Sequence, residues 1–322
     1  MYRIGVDLGG TNIAVGLVNE EYRIVRKGSV PTEAKTRSGE AIADDIVALC
    51  AKLCREEGIP LSEIKAIGVA SPGIANSEKG TVEYSANLPF RQFPLCRLLS
   101  ERTGVSSVHV ENDANAAAFG EAIAGAARGT ANSVVITLGT GVGGGIIIDH
   151  KVYSGFNFAG AELGHIVIER NGVPCGCGRR GCWEGYSSAT GLIRMTRAKI
   201  EECEREGRDT LLVAEAAKYG KVSGRTAFDA MRAGDPAATE VVEKYIEYLA
   251  AGLSNVIHIF EPEVLSIGGG ISNERDYLLQ PLVALIKKKH FSNGKNLKTR
   301  IAIAELGNDA GIIGAAFLGI DE

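Results

Sequence analysis

A short segment in the middle of the chain concentrates side chains that bind soft metal ions. Its four candidate ligands are His165, Cys175, Cys177 and Cys182. Three thiolates and one imidazole form a tetrahedral Cys₃His set, the kind that holds a structural Zn²⁺. Glu162 and Glu184 bracket the group. The sequence therefore predicts a zinc-bound loop that fixes two carboxylates in place.

Two alternatives to zinc binding by these cysteines are disfavoured. Disulfide bonds are disfavoured because a Cys-x-Cys pair cannot easily close on itself and nothing in the chain signals secretion. Burial as small apolar side chains is disfavoured because Gly, Arg and Pro surround these cysteines, which is typical of a loop. The remaining thiols are interpreted as core or surface residues: Cys50, Cys54, Cys96 and Cys203.

Two glycine-rich turns could bind phosphate groups. The first turn, Asp7-Leu8-Gly9-Gly10-Thr11-Asn12, follows an apolar run. A second glycine-rich segment of similar kind spans residues 138–145. Glycines let backbone N–H groups approach phosphate oxygens, and Asp7 could hold water or Mg²⁺ beside them. Neither turn is a Walker A loop, and neither leads into a helix as a dinucleotide fingerprint does. Each alone could equally be a tight hairpin, but the pair favours a nucleotide clamped in a cleft.

A third glycine run, Gly268-Gly269-Gly270, follows the apolar residues 264–267. Glycine has no side chain, so a base or ribose could lie against this backbone. The sequence alone gives equal weight to a simple turn into a helix.

The segment Glu111-Asn112-Asp113-Ala114-Asn115 lies between a buried strand and an alanine-rich helix. Helix capping by Asp113 is one interpretation. The end of a strand in an open α/β sheet is also where a catalytic carboxylate belongs. A carboxylate that accepts a hydroxyl proton, with Asn112 binding a neighbouring hydroxyl, fits phosphoryl transfer to an alcohol.

Strands and helices alternate around these motifs. Apolar runs predict the following strands: Arg3–Leu8, Asn12–Val18, Tyr22–Ser29, Ile64–Val69, Val108–Glu111, Val134–Leu138, Val264–Ile267 and Ile301–Ala304, with a strand–turn–strand unit over Thr137–Ile148. Periodicity and composition predict helices over Ser38–Glu57, Ala114–Ala127 and Gly311–Leu318, and a mainly helical region from Ala189 to Phe260. The two halves resemble each other weakly, which predicts two α/β lobes with a cleft between them.

Composition narrows the functional class. The 322 residues suffice for two domains, and the net charge of −4 without a basic block gives no support for nucleic-acid binding. No apolar run approaches the roughly 20 residues of a membrane helix. The first residues enter a strand at once, which predicts a cytoplasmic protein without a signal peptide or an added N-terminal domain.

Together these motifs resemble the ROK family (repressor, open reading frame, kinase) of sugar kinases, within the actin-like, hexokinase and Hsp70 ATPase fold. The resemblance is carried by DLGGTN, by ENDANAAAFGE, by the stretch 138–188 and by GNDAGIIGAAFLG near the end. It covers essentially the whole chain. It implies two duplicated ribonuclease H-like domains around a central cleft. We predict a small domain of residues 1–115 plus 303–322 and a large domain of residues 116–302, which carries the zinc loop 165–182.

The resemblance also implies roles for individual residues. Asp113 would be the base that deprotonates the 6-hydroxyl of a hexose. The sugar would contact Gly73, Asn87, Asn112, Asp113, Glu162, His165 and Glu184. ATP with Mg²⁺ would contact Asp7, Gly9, Gly10, Thr11, Asn12, Thr140, Gly141, Gly269, Gly270 and Gly311. His165 would serve both zinc and sugar through its two distinct ring nitrogens.

The expected activity is that of an ATP-dependent hexose kinase, first of all for glucose. Mannose, fructose, allose and N-acetylmannosamine remain alternative substrates, and polyphosphate an alternative donor. A sugar-responsive repressor is disfavoured because the first phosphate motif begins within a few residues of Met1. A homodimer or homotetramer is implied by the resemblance alone.

Overall fold

Antiparallel pairing at the start of the chain follows from alternating apolar residues on either side of the first glycine turn. The structure is a computed structural model and describes residues 1–320. Its strands are β1 Tyr2–Leu8, β2 Asn12–Asn19, β3 Ile24–Pro31, β4 Ile64–Ser71, β5 Ile74–Asn76, β6 Thr81–Tyr84, β7 Arg91–Phe93, β8 Val108–Asn112, β9 Ser133–Leu138, β10 Val142–Ile148, β11 Lys151–Val152, β12 Val264–Gly268 and β13 Arg300–Ile303.

Seven of the helices lie in or close to regions predicted to be helical, whereas those at Leu95–Thr103, Glu184–Ser187 and Asp276–Lys289 were not predicted. They are α1 Gly39–Glu57, α2 Leu95–Thr103, α3 Asp113–Ala124, α4 Glu184–Ser187, α5 Ala189–Glu206, α6 Leu211–Lys218, α7 Thr226–Arg232, α8 Pro236–Phe260, α9 Asp276–Lys289 and α10 Ala310–Ala316. Short 3₁₀ turns include Leu163–His165 and Gly270–Glu274. None of the helices within residues 1–320 combines the length and apolar character needed to cross a bilayer.

The chain divides into two compact units, each described here by itself. Unit 1 comprises residues 1–135, 145–161 and 305–322, and unit 2 comprises residues 136–144 and 162–304. The predicted boundary put residues 116–135 and 145–161 in the second domain, whereas contacts group them with unit 1. The physical reason is the packing of α3 against α10, which the sequence pattern of α3 does not reveal.

The first five-stranded sheet has the order β3-β2-β1-β4-β8. The pairs β1–β2 and β2–β3 are antiparallel, whereas β1–β4 and β4–β8 are parallel. In the parallel register Asp7 pairs with Ala70, and Ser71 pairs with Asn112. The carboxyl ends of β1, β4 and β8 therefore meet at one edge of this sheet.

The second five-stranded sheet has the order β11-β10-β9-β12-β13, and its β12–β13 pair is parallel. The predicted strand–turn–strand unit is present as β9 and β10 around residues 139–141. A small three-stranded sheet, β5-β6-β7, completes the β-structure among the described residues. The predicted mixed α/β class is confirmed.

Helix α10 lies unusually close to the first sheet because glycines face it. A Cβ on Gly5 would lie 1.8 Å from the Ile312 carbonyl oxygen, and one on Gly68 would lie 1.7 Å from that of Ala315. Helix α3 approaches α10 in the same way, since a Cβ on Gly314 would lie 1.8 Å from the Ala116 carbonyl oxygen. These contacts pack α10 along its length against the middle of β1 and β4.

Candidate active site and metal centre

Unit 1 places several predicted site residues at the carboxyl edge of its parallel strands. Asp7 is the penultimate residue of β1, and Asn112 and Asp113 mark the passage from β8 to α3. Gly311, in the first turn of α10, lies beside Asp7: a Cβ there would be 3.6 Å from the carboxyl carbon. This edge is where an open α/β sheet binds its ligand.

Asn112 holds the turn before α3 in a defined conformation. Its side-chain oxygen accepts hydrogen bonds from the N–H groups of Ala114 (2.9 Å) and Asn115 (3.2 Å), which makes Asn112 the N-cap. Its amide nitrogen donates to the Gly73 carbonyl oxygen at 3.1 Å. Asp113 also accepts from Ala114 N–H at 2.9 Å. Capping by Asn112 leaves the Asp113 carboxylate accessible to solvent.

The surroundings of this edge raise the pKa of both aspartates. Surrounding protein atoms partly desolvate Asp113 even though it reaches solvent, and this raises its pKa. Burial also raises the pKa of Asp7, and the negative charge of Asp113 adds to the increase, while Lys27 opposes it. Two neighbouring carboxylates with raised pKa values are typical of a site that takes up a proton or binds a cation.

The first glycine turn lies against the β6–β7 connection. A Cβ on Gly10 would be 3.1 Å from the Asn87 carbonyl oxygen, so the two segments are in close contact here. Gly73 has φ = +100° and lies against Tyr84. The hydrogen bond from Asn112 to Gly73 thus ties the β8–α3 turn to the β4–β5 connection within unit 1.

Glu111 is a buried carboxylate that sequence analysis did not single out. It accepts hydrogen bonds from Asn112 N–H (2.8 Å), Asn115 Nδ2 (3.1 Å) and Ser154 Oγ (3.0 Å). Its side chain is 4% exposed, and burial raises its pKa despite these three donors. The ENDAN pattern contained the residue, but its contact with Ser154 spans 43 positions and has no local sequence signal.

Unit 2 brings the four predicted metal ligands together. One ligand atom from each of His165, Cys175, Cys177 and Cys182 lies within 4.8 Å of the others. The Cys177 and Cys182 sulfurs are 3.6 Å apart, and Cys175 Sγ is 3.7 Å from His165 Nδ1. Zn–S bonds of about 2.3 Å at tetrahedral angles put two sulfurs about 3.8 Å apart. The geometry and the donor set both fit a tetrahedral metal ion.

Local hydrogen bonds favour the thiolate form of one cysteine in this segment, which is the form that binds a cation. The Arg179 backbone N–H and then its guanidinium lower the pKa of the exposed Cys177 thiol to about 6. Burial, together with the neighbouring thiols, raises that of Cys182 to about 12. A bound cation would stabilise both as thiolates. Arg179 also donates to the His165 carbonyl oxygen at 2.7 Å, which closes the loop on itself.

Glu184 connects the metal cluster to the second glycine turn. One of its carboxylate oxygens accepts from Val142 N–H at 3.1 Å, and Cys175 Sγ lies 3.7 Å from the other. A Cβ on Gly141 would be 2.3 Å from the Glu184 carboxylate, so any larger residue there would displace this carboxylate. The loop and the turn therefore form one packed structure inside unit 2.

The third glycine run is adjacent to the same turn. Gly269 has φ = +83°, and a Cβ there would lie 2.5 Å from the Leu138 carbonyl oxygen. Gly270 begins a 3₁₀ turn and has open space on its Cβ side. The Thr140 carbonyl oxygen accepts from Thr190 Oγ1 at 2.8 Å. The predicted turn into a helix is present as a 3₁₀ turn, and the backbone at Gly269 and Gly270 is exposed. Contact of this backbone with a base or ribose stays a prediction.

Comparison with known proteins decides the family. The sequence pattern of the ROK family matches residues 3–322. The chain belongs to the ROK family. The glucokinase of Streptomyces coelicolor is 37% identical over 98% of this chain and 96% of its own length. The glucokinase of Thermotoga maritima is 38% identical over 97% and 95%, respectively.

A solved structure supports the same family at the level of the fold. The ROK family glucokinase from Streptomyces griseus, in complex with glucose and AMPPNP, is 35% identical, covers 100% of both chains and has a TM-score of 0.76. The actin-like fold predicted for this chain is therefore confirmed.

In this ROK family protein the predicted site residues fall in both units. Unit 1 holds Asp7, Gly9, Gly10, Thr11, Asn12, Gly73, Asn87, Asn112, Asp113 and Gly311. Unit 2 holds Thr140, Gly141, Glu162, His165, Glu184, Gly269 and Gly270. Within each unit most of these residues gather around the glycine turns described above. Glu162, which is exposed, directly precedes the 3₁₀ turn that carries His165.

Proposed function

We propose that the protein is an ATP-dependent hexose kinase that transfers the γ-phosphoryl group of ATP to the 6-hydroxyl of glucose. The observation that carries the proposal is the Asp113 carboxylate, which lies at a strand end near Asp7, reaches solvent and has its pKa raised by partial desolvation. The relatives named as glucokinases, and the relative bound to glucose and AMPPNP, support the same substrates.

Asp113 acts as the general base in this proposal. A sugar hydroxyl is a weak nucleophile, and a carboxylate within hydrogen-bond reach accepts its proton as the phosphoryl group transfers. The Asn112 cap keeps α3 regular without using the whole Asp113 carboxylate. A raised pKa makes the carboxylate a better proton acceptor, because its basicity moves closer to neutral pH.

Sugar selection depends on polar side chains that pair with ring hydroxyls. We assign this role to Asn87, Asn112, Glu162, His165 and Glu184, with the Gly73 backbone alongside. A missing or inverted hydroxyl would leave one of these groups unpaired, which costs about 1–3 kcal/mol for each buried group.

The two glycine turns and the Gly269–Gly270 backbone would bind ATP. Close packing and a positive φ require glycine at Gly269, and short backbone turns present N–H groups to phosphate oxygens. Asp7 is the residue suited to orient Mg²⁺ or its water ligands near the phosphates, where the cation would neutralise developing charge.

His165, Cys175, Cys177 and Cys182 would hold a structural Zn²⁺, which supplies rigidity and no chemistry of its own. Its four protein ligands leave no open coordination position. Because Glu184 contacts both Cys175 and the Val142 backbone, a rigid loop fixes its carboxylate relative to the second glycine turn.

A substrate panel tests the proposal. Glucose, mannose, fructose, allose and N-acetylmannosamine are compared by kcat/KM in a coupled ADP-release assay, with ATP and polyphosphate as donors. We expect the highest value for glucose with ATP. A higher value for another sugar would reject glucose as the substrate, and no turnover of any sugar would reject the kinase.

The matched variant is Asp113→Ala. It should bind glucose, as measured by calorimetry, but lose turnover by about 10²–10⁴-fold, the usual contribution of a general base. Residual turnover close to the wild-type value would contradict the role of Asp113 as the base.

A further inference from the structure

The carboxylate of Glu111 lies directly behind the turn that carries Asp113. It is nearly inaccessible, and three donors converge on it: Asn112 N–H, Asn115 Nδ2 and Ser154 Oγ. A carboxylate accepts all three at once, because its two oxygens offer about four lone-pair sites. The cluster joins the end of β8, the first turn of α3 and the segment after β11, all within unit 1.

The orientation of Asn115 shows how strongly Glu111 organises this cluster. The Asn115 NH₂ group faces Glu111, while its buried Oδ1 has no hydrogen-bond partner among the described residues. Turning the amide over would place two oxygens against each other. The carboxylate therefore fixes the amide even though one buried acceptor is left unpaired.

Glu121, near the other end of α3, is a buried carboxylate with a purely structural role and serves as a comparison for Glu111. It is 1% exposed and accepts from the backbone N–H groups of Ala126, Glu305 and Leu306. Those contacts attach the end of α3 to the chain before α10. Glu111 differs because its backbone partner, Asn112, directly precedes Asp113.

We propose that Glu111 is a positioning residue: by holding Asn112 N–H and Ser154 Oγ, it sets the direction of the Asp113 carboxylate. The proposal rests on the kinase function proposed above and deepens it. Glu111 makes no contact with substrate and acts through Asp113. The Asn112 side chain holds the same turn from the opposite direction by its bond to Gly73, so the turn is fixed at two points.

The test is a double-mutant cycle with the base. In the wild-type background, Glu111→Ala should lower kcat about 100-fold, since a displacement of about 1 Å can cost that much. Glu111→Gln should stay within about threefold, because the amide oxygen can accept from Asn112 and Asn115 while its NH₂ donates to Ser154. In the Asp113→Asn background neither change should lower kcat further.

Active-site concentration is measured by glucose calorimetry, so kcat refers to folded sites. Additive losses in the Asp113→Asn background would show that Glu111 only stabilises the fold and would overturn the proposal. The matched control is Glu83→Ala, which removes a carboxylate that accepts from Asn76 and Thr81 elsewhere in unit 1. It should leave kcat unchanged.

Two further measurements test the positioning role of Glu111 even if the first variant does not fold. If Glu111→Ala does not fold, Ser154→Ala removes one hydrogen bond with little change in volume and should lower kcat about three- to tenfold, again only when Asp113 is present. Hydrogen exchange of the Asn112 amide should accelerate in either variant. Unchanged exchange overturns the positioning role, whereas a wild-type protein without turnover overturns the kinase function instead.

Discussion

At the scale of single residues, the raised pKa of Asp113 has a direct consequence for pH dependence. Partial desolvation disfavours the charged carboxylate, so the proton is retained to a higher pH than on an ordinary aspartate. A protonated Asp113 cannot accept the hydroxyl proton. Activity should therefore fall on the acidic side, at a pH above the usual aspartate pKa of 3.8.

The pH profile of kcat/KM with glucose checks this prediction. The acidic limb should disappear in Asp113→Asn, whose residual activity has no base to protonate. A limb centred at or below the usual aspartate pKa would contradict the raised value, and a limb that persists unchanged in the variant would assign it to another group.

The structure has Asp113 at the strand end expected from the sequence, and its role as the base stays a prediction. Asp113 could be singled out from the sequence because a strand end followed by an alanine-rich helix is a local pattern. Glu111 was not, because its importance depends on Ser154, a residue in a different segment. Local patterns identify the groups that face a ligand more readily than the groups that hold them.

At the scale of elements, the contact between α3 and α10 depends on glycine. A Cβ on Gly314 would lie 1.8 Å from the Ala116 carbonyl oxygen, which is backbone and cannot move alone. Gly314→Ala should therefore destabilise the protein by about 1–3 kcal/mol, the usual cost of overpacking. Thermal or urea unfolding measures this change.

Gly311→Ala is the matched control in the same helix. A Cβ at Gly311 would meet Asp7 at 3.6 Å, an ordinary contact, and alanine has the better helix propensity. Its stability should equal or exceed that of the wild type, while its KM for ATP should rise if Gly311 lines the nucleotide. Equal stability losses in both variants would contradict the packing argument.

The metal loop leads to a separate prediction. Metal analysis should find about one zinc per chain, as expected for a closed site with four protein ligands. Cys177→Ser should lose the metal, lower the melting temperature and abolish kinase activity. Cys96→Ala, which changes a buried thiol outside the cluster, should retain the zinc. Full activity in a zinc-free protein would refute the scaffold role.

The strands and glycine turns of both sheets could be predicted from the sequence because their patterns are local. The end of α3 could not, since the predicted helix reached Ala127 and the observed one stops at Ala124. Glu121 turns back to accept from Ala126 N–H and so fixes the chain just after the helix. The Glu121 carboxylate also accepts hydrogen bonds from the backbone N–H groups of residues 305 and 306, which are far away in the sequence.

At the scale of the whole molecule, the predicted site residues are distributed over both units, but the predicted bounds did not show which other segments belong to each unit. Residues 145–161 belong to unit 1 although they lie between two segments of unit 2. Their assignment follows from close packing, for example of Gly145, where a Cβ would lie 2.6 Å from the Ala114 carbonyl oxygen. Such long-range contacts have no periodic signature.

Substrate binding should stabilise the folded chain as a whole. A ligand that binds only the native state adds RT ln(1 + [L]/Kd), about 2.7 kcal/mol at a concentration of 100 Kd. Glucose should therefore raise the melting temperature of both the wild type and Asp113→Ala, whereas a sugar that is not a substrate should not. No shift with glucose at any concentration would contradict its assignment as the ligand.

The single tryptophan of the chain, Trp183, lies between the predicted metal ligand Cys182 and Glu184. Its ring is fully buried against Gly252, and its indole N–H donates to the Tyr248 carbonyl oxygen at 3.1 Å. Intrinsic fluorescence excited at the indole therefore originates from one place, where the metal loop joins α4. A chelator that opens the loop should shift this emission to longer wavelength, so the protein carries its own optical reporter of the loop's integrity.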